Sequence, residues 1–408
     1  MQDNELIKDL FLPEYMERGI SGIPWAYKNP SEEFTRWSFL TQNYFSFEQS
    51  NSRALQNKLN ANEFASPTKE KIQNLIKTKN SHIKSLKKVL DPFLKETQKV
   101  TINSQQNILA YQDLLFRDWS WGKKENDVYL DYILKNLDGT EQNILVLGAG
   151  ACGLSHSLSL QSSANIIATD INPYLMLSAQ KLFNGKTLKL GEFNDFPSSI
   201  EDFSYTHEFE KVQSSHNHFQ VFCDFNDLPF VKESFDVVIS PWFYDIIDMD
   251  LGQSLQITNR LLKPEGKNLF IGPSNFHKSK ISKRKTTEEI IKSFEENYST
   301  VNFEKKFCPY LDNPNSSQKR IEEILFICSQ DKVLCEITKN SISQSIDLTP
   351  DLVAYRQKVD VFSRILKHVE NQQSFEDLAS KLQIEFDFSK DEALYYAKSF
   401  MQKILAEI

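Results

Sequence analysis

Three glycines and one carboxylate carry the first chemical signal of this chain. An apolar run, Ile144 to Leu147, ends in Gly148, Gly150 and Gly153, and a second apolar run ends in Asp170. A buried strand followed by a Gly-rich turn and a helix start lets backbone approach a nucleotide-like ligand closely. A carboxylate about 20 positions further on suits a pair of ribose hydroxyls. That spacing alone does not separate NAD, FAD and S-adenosylmethionine. Further groups fall where such a ligand would lie. Asp224 sits in VFCDFNDLPF, after an apolar run, and Phe235 to Ser240 reads as a strand followed by Pro241, Trp242, Phe243, Tyr244 and Asp245. In an open α/β sheet the carboxyl ends of the strands line the ligand crevice.

These residues need a sheet to hold them together. From residue 125 to 332 the pattern alternates strands and helices, the mark of a doubly wound α/β domain. The expected strands are 143–147, 165–169, 219–222, 235–240, 267–271 and 323–328. Residues 190–218 form a polar stretch, long for a strand-to-helix connection, read as an insertion over the ligand-binding edge. Residues 1–124 hold few glycines and read as a helical N-terminal extension. In it Ile72, Ile76, His82, Ile83, Leu86 and Val89 fall near helical spacing, and the lysines between them form a solvated face. Residues 333–408 read as a small C-terminal unit, with Leu378, Leu382 and Phe386 on one helical face and Tyr396, Phe400 and Ile404 on another.

The chain has 408 residues, 40% of them hydrophobic and 25% charged, as in ordinary soluble proteins. No apolar run approaches the roughly 20 residues a membrane span needs. The acidic, amphipathic start is no secretory signal, and five cysteines without CxxC spacing suit a reducing cytoplasm. A net charge of −8 disfavours a large nucleic-acid footprint. His207, His216 and His218 have no acidic or thiol partner at ligand spacing, so no metal site is expected. Whether the chain acts alone or as a homodimer is left open.

The order FDVV (235–238), a helix, LLKPEG (261–266) and a further strand resembles class I S-adenosylmethionine methyltransferases, with Glu265 in place of the first glycine of their usual turn. The resemblance implies a Rossmann-like seven-stranded α/β fold and S-adenosyl-L-methionine as cofactor. A narrower resemblance covers roughly residues 65–330. FRDWSWGKKEND (Phe116–Asp127), SPWFYDIID (Ser240–Asp248) and NLFIGPSNFH (Asn268–His277) are similar to segments of the carnosine N-methyltransferase family. It implies cofactor contacts at Gly148, Ala149, Gly150, Gly153, Asp170, Ile171, Asp224, Phe225 and Ser240, with Arg117 and Trp119 closing over the cofactor. It also implies Asp245 and His277 as the catalytic pair at the acceptor, among Trp242, Phe243, Tyr244, Phe276 and Tyr310. The sequence departs from the family in the Gly-rich segment, where Leu154 or Ser155 stands in place of an arginine, and at Asp245–Met249 and Phe276 on the acceptor side.

The chemistry stands beside the resemblance. Methyl transfer from a sulfonium is an in-line displacement, accelerated by holding the nucleophile in a desolvated site. An imidazole is mostly neutral at pH 7, so one ring nitrogen offers a lone pair while the other carries N–H. Asp245 accepting that N–H would fix the tautomer, and His277 could orient the acceptor or take its proton. Plainer roles exist as well: Asp245 as a helix N-cap, His277 as a loop histidine, Trp119 as packing and Cys152 as a small filler. The expected activity is N-methylation of an imidazole in a histidine-containing dipeptide or peptide. Two alternatives are a peptide-modifying enzyme and a binding protein without catalysis. For the first, residues from about 335 resemble a winged-helix unit of the kind that recognises leader peptides.

Overall fold

The computed structural model describes residues 7–15, 19–61, 63–95, 108–109, 111–277, 283–332, 375–386, 390 and 393. The chain divides into two compact units, Met1–Cys335 and Glu336–Ile408. In the second, the described part is a helix, Phe375–Phe386, with Leu378 and Leu382 buried one turn apart. Phe386, Tyr396, Phe400 and Ile404 lie outside the described side chains, as does the expected strand pair of residues 333–350.

The first unit opens with a two-strand ribbon, β1 (Gly19–Ile20) and β2 (Ile23–Pro24), and two long helices, α1 (Pro30–Asn60) and α2 (Ser66–Val89). A short helix, α3 (Asp113–Phe116), runs into one π-helical turn, Arg117–Trp121, and then into α4 (Lys123–Asn136). The α/β core follows as β3 (Asn143–Leu147), α5 (Gly153–Ser159), β4 (Asn165–Asp170) and α6 (Pro173–Phe183). Next come β5 (Leu188–Phe193), α7 (Ile200–Phe203), β6 (Ser204–Phe209), β7 (His218–Phe222) and β8 (Phe235–Pro241). The unit closes with α8 (Leu251–Leu261), β9 (Leu262–Pro273), α9 (Thr287–Glu295), β10 (Tyr298–Pro309) and β11 (Ile321–Lys332).

Seven strands form one mixed sheet in the order β10-β11-β9-β8-β3-β4-β7. β3, β4, β7, β8 and β9 run parallel, and β11 turns antiparallel between β9 and β10. This is a Rossmann-like class I arrangement with a helical N-terminal part. The apolar runs read as strands because both sheet faces are covered. Ile144 and Val146 pack into one core with α4, α5 and α6, whereas Leu145 and Leu147 pack into a second with α8 and α9. Among the described helices none is long and apolar enough to cross a membrane.

Three expectations need revision. Residues 190–218 hold a β5/β6 hairpin laid along α2, with the Gly191 amide donating to His82 Nδ1 at 3.2 Å. The stretch 261–266, expected as a helix end and turn, enters the sheet at once, because Leu262 takes extended angles (φ −70°, ψ 138°) and pairs with Phe235. β10 has no counterpart among the expected strands; its side chains are mostly exposed on both faces, so it carries no apolar run.

The N-terminal segment is stitched to the far edge of the sheet. Ala26 N donates to Phe222 O at 2.8 Å beside a parallel Trp25–Phe222 bridge, and Tyr15 Oη donates to Asp227 Oδ2 at 2.7 Å. Trp25 is buried against Phe222, Tyr27 and Phe93. Burying large aromatics supplies much of the docking energy of such a segment.

Candidate active site

A crevice of about 720 Å³ opens at the carboxyl ends of β3, β4, β7 and β8. Its floor is the Gly-rich turn. Gly148 and Gly150 take φ of +59° and +57°, which L side chains rarely adopt. A Cβ on Gly148 would lie 2.5 Å from the Phe243 ring, so glycine here leaves backbone open to the crevice. Asp170 ends β4 and accepts from Gly150 N and Asn172 N, each at 2.8 Å. Burial pushes its carboxyl up to about 6, against the pull of those amides. Asp224 caps the short turn after β7 through Asn226 N at 2.9 Å, and Phe225 packs edge-on to Phe243 at 5.0 Å. Phe225, Leu228, Ile246 and Ile247 thus form an apolar wall.

The opposite wall is aromatic. Trp242, held at φ +50°, stacks on Tyr310 with ring centroids 3.9 Å apart, and Arg320 covers the far face of Tyr310 at 4.5 Å. Tyr111, itself at φ +63°, and Asp245 complete this end. Burial raises both phenols, and the Asp245 charge adds to this, taking Tyr310 to about 12. Both therefore stay protonated at neutral pH, beside a carboxylate.

A buried polar chain joins the two ends. Gly153 N donates to Asp118 Oδ2 at 2.9 Å, and Arg117 binds Asp118 Oδ1 through Nε at 2.9 Å and Nη2 at 2.8 Å. Arg117 Nη1 reaches Glu125 Oε1 at 3.4 Å, and Glu125 accepts from Tyr129 Oη at 3.2 Å and Leu311 N at 2.8 Å. Tyr129 Oη in turn accepts from Trp242 Nε1 at 3.1 Å. The π-helical turn makes this possible, since its extra residue turns Arg117 toward the crevice while Asp118 faces α5.

Of the residues expected from sequence, Arg117, Gly148, Ala149, Asp170, Ile171, Asp224, Phe225, Trp242, Phe243, Asp245 and Tyr310 come together around the crevice. Gly150 and Gly153 shape the turn behind it. Trp119 braces that turn from outside, donating to Ala151 O at 2.8 Å and packing on His156 and Phe183. Ser240 and Tyr244 are buried in the core, Tyr244 Oη meeting Thr258 at 3.4 Å. Phe276 turns inward against Phe270 while its backbone pairs with Lys285. The alternation of an extended segment therefore points His277 outward, where it is exposed and does not line the crevice. Sequence reading missed Tyr111, Leu114, Tyr129, Glu33 and Arg36, which also line it. Leu114, Tyr129, Glu33 and Arg36 come from helices whose pattern reports only a packed face, and Tyr111 from the turn before α3. Among the described residues no group of His, Cys, Asp or Glu is placed to hold a metal ion.

Residues 145–270 match the family model described as a methyltransferase domain. No curated protein matches the chain. Among solved structures, the chain is similar to phosphoethanolamine N-methyltransferase 2 of Haemonchus contortus in complex with phosphomonomethylethanolamine and S-adenosylhomocysteine. The identity is 14% and the TM-score 0.39 over 56% of this chain, which spans 60% of that one. It is also similar to a S-adenosylmethionine-dependent methyltransferase of Thermotoga maritima, at 13% identity and TM-score 0.35, covering 55% of this chain and 98% of that one. The Gly148 cradle, which a Cβ would fill, the carboxylate ending β4 and the apolar wall fit an adenosyl group carrying a methionine. The crevice is thus built on a methyltransferase domain, matched over residues 145–270, within a Rossmann-like sheet, and S-adenosylmethionine is the cofactor it fits.

Proposed function

We propose that the enzyme methylates an imidazole nitrogen of a small histidine-containing acceptor, with Asp245 holding the other ring nitrogen. The supporting observation is that Asp245 lines the same crevice as Gly148 and Asp170, between Tyr111 and the Trp242–Tyr310 stack. A flat ring suits the aromatic side chains of Tyr111 and Trp242 that line the crevice, and a carboxylate accepting its N–H leaves the second nitrogen's lone pair pointing away. S-adenosylmethionine supplies an electrophilic methyl group on sulfur. The chain's part is to orient the acceptor and exclude water. A neutral imidazole needs no base to expose its lone pair, which agrees with His277 lying outside the crevice.

Labelled-methyl transfer to carnosine, histidine and His-containing peptides tests this reading. Asp245→Asn keeps the shape but loses the charge, and kcat/KM should fall roughly 100-fold or more. S-adenosylhomocysteine affinity should stay unchanged, and His277→Ala should leave activity within about twofold. Transfer that Asp245→Asn does not slow, or no transfer to any imidazole, would remove the proposal.

In this reading Asp170 accepts from the ribose hydroxyls, using lone pairs its two amide partners leave over. Those hydroxyls favour the ionised carboxylate, so the bound state has the lower pKa and binding weakens as the free group protonates. The S-adenosylhomocysteine dissociation constant should therefore be flat above pH 7. Below about 6 it should rise by up to about tenfold per pH unit. A flat profile down to pH 5 in calorimetric titrations would take Asp170 off the ribose.

A further inference from the structure

β10 is the edge of the sheet among the described residues, and it is long. Its outer backbone row therefore offers N–H and C=O groups to another strand. Its side chains carry two exposed aromatics, Phe303 (52% exposed) and Phe307 (74%), where a solitary edge strand is usually kept polar. Phe303, Lys305 and Phe307 lie on one face, and Glu304 and Lys306 on the other.

We infer that β10 pairs antiparallel with β10 of a second copy of this chain, about a two-fold axis at Lys305. In that register Phe303 stands opposite the other copy's Phe307 and Glu304 opposite its Lys306, each pairing occurring twice by symmetry. Moving the axis one residue either way sets Glu304 against Glu304 or Lys306 against Lys306. The like charges that do meet on the axis are already compensated, since Lys305 Nζ lies 3.0 Å from Glu323 Oε2 on β11. In the single chain Glu304 and Lys306 pair with each other at 3.0 Å near the surface, Lys306 also lying over the Phe326 ring, and an exchange across the axis would replace this exposed pair by two pairs between copies. Lysines on an edge strand commonly guard it against pairing, but these have acidic partners in register. The occupant is a second copy because the strand is complementary to itself in charge and in aromatic position.

Sedimentation velocity on the full chain reads the result. The wild type should sediment as a dimer. Glu304→Lys and Lys306→Glu should each weaken the dimer roughly tenfold or more, by setting like charges opposite each other. An equimolar mixture of the two single variants should recover the dimer, and so should the double variant Glu304→Lys/Lys306→Glu. These side chains are exposed, and unchanged melting temperatures would show that the fold is kept. A monomeric wild type, a dimer indifferent to either charge reversal, or reversals that dissociate it without recovery on mixing would each overturn the inference.

Discussion

Replacing Gly148 by alanine is expected to weaken S-adenosylhomocysteine binding by roughly 30-fold, about 2 kcal/mol, measured by calorimetry. Two effects add. The backbone at φ +59° disfavours any Cβ, and that Cβ would sit 2.5 Å from the Phe243 ring. The ring is buried against Phe225, so it can move only by entering the space the cofactor needs. Gly139→Ala is the control. Its φ of +83° is just as unfavourable, yet its Cβ would meet nothing within 4 Å. That variant should lose a little stability and no affinity. Equal binding by the two variants would mean that the cradle does not hold the cofactor.

Removing the Arg117 charge should be the most destabilising single change near the crevice. Arg117→Leu leaves Asp118 and Glu125 facing each other without their shared cation, and all three side chains are at most 10% exposed. Breaking a buried ion group in this way costs about 3–5 kcal/mol. Burial already holds the Glu125 carboxyl above its ordinary range despite Arg117 beside it, so loss of that cation should push it further up. Urea unfolding would show the drop, and the triple variant Arg117→Leu/Asp118→Asn/Glu125→Gln should recover part of it. An unchanged midpoint for Arg117→Leu would show that the chain of contacts carries no net energy.

The parts of this protein that were legible in its sequence are those where local and global demands coincide. Ile144–Leu147 and Asn165–Thr169 are buried on both faces, so their composition alone marks central strands. Gly148 and Asp170 are bound to the backbone geometry of the first turn, which leaves a fixed spacing. β10 obeys no such rule, because a solvated edge strand has no burial pattern to display. Glu33, Arg36 and Tyr129 were hidden for another reason. Their role depends on where a helix docks, and helical periodicity says which face packs without saying against what. His277 shows the opposite failure. The motif around it is kept except at Phe276, but one pleat decides whether its side chain faces inward, and in this chain Phe276 takes that place.

The stitching of Trp25 and Ala26 to Phe222, and of Tyr15 to an acid 212 positions away, sets an order on assembly. During synthesis this segment leaves the ribosome before β7, and it must wait, with Trp25 and Tyr27 unburied, until β7 has been made. Contacts so distant in sequence form late and slowly. A nascent chain would therefore carry an adhesive aromatic segment while nearly two hundred further residues are made, a natural client for a chaperone. A fragment cut to residues 145–270 would escape that delay, at the cost of the walls that Glu33, Arg36, Tyr111, Arg117 and Tyr310 now supply.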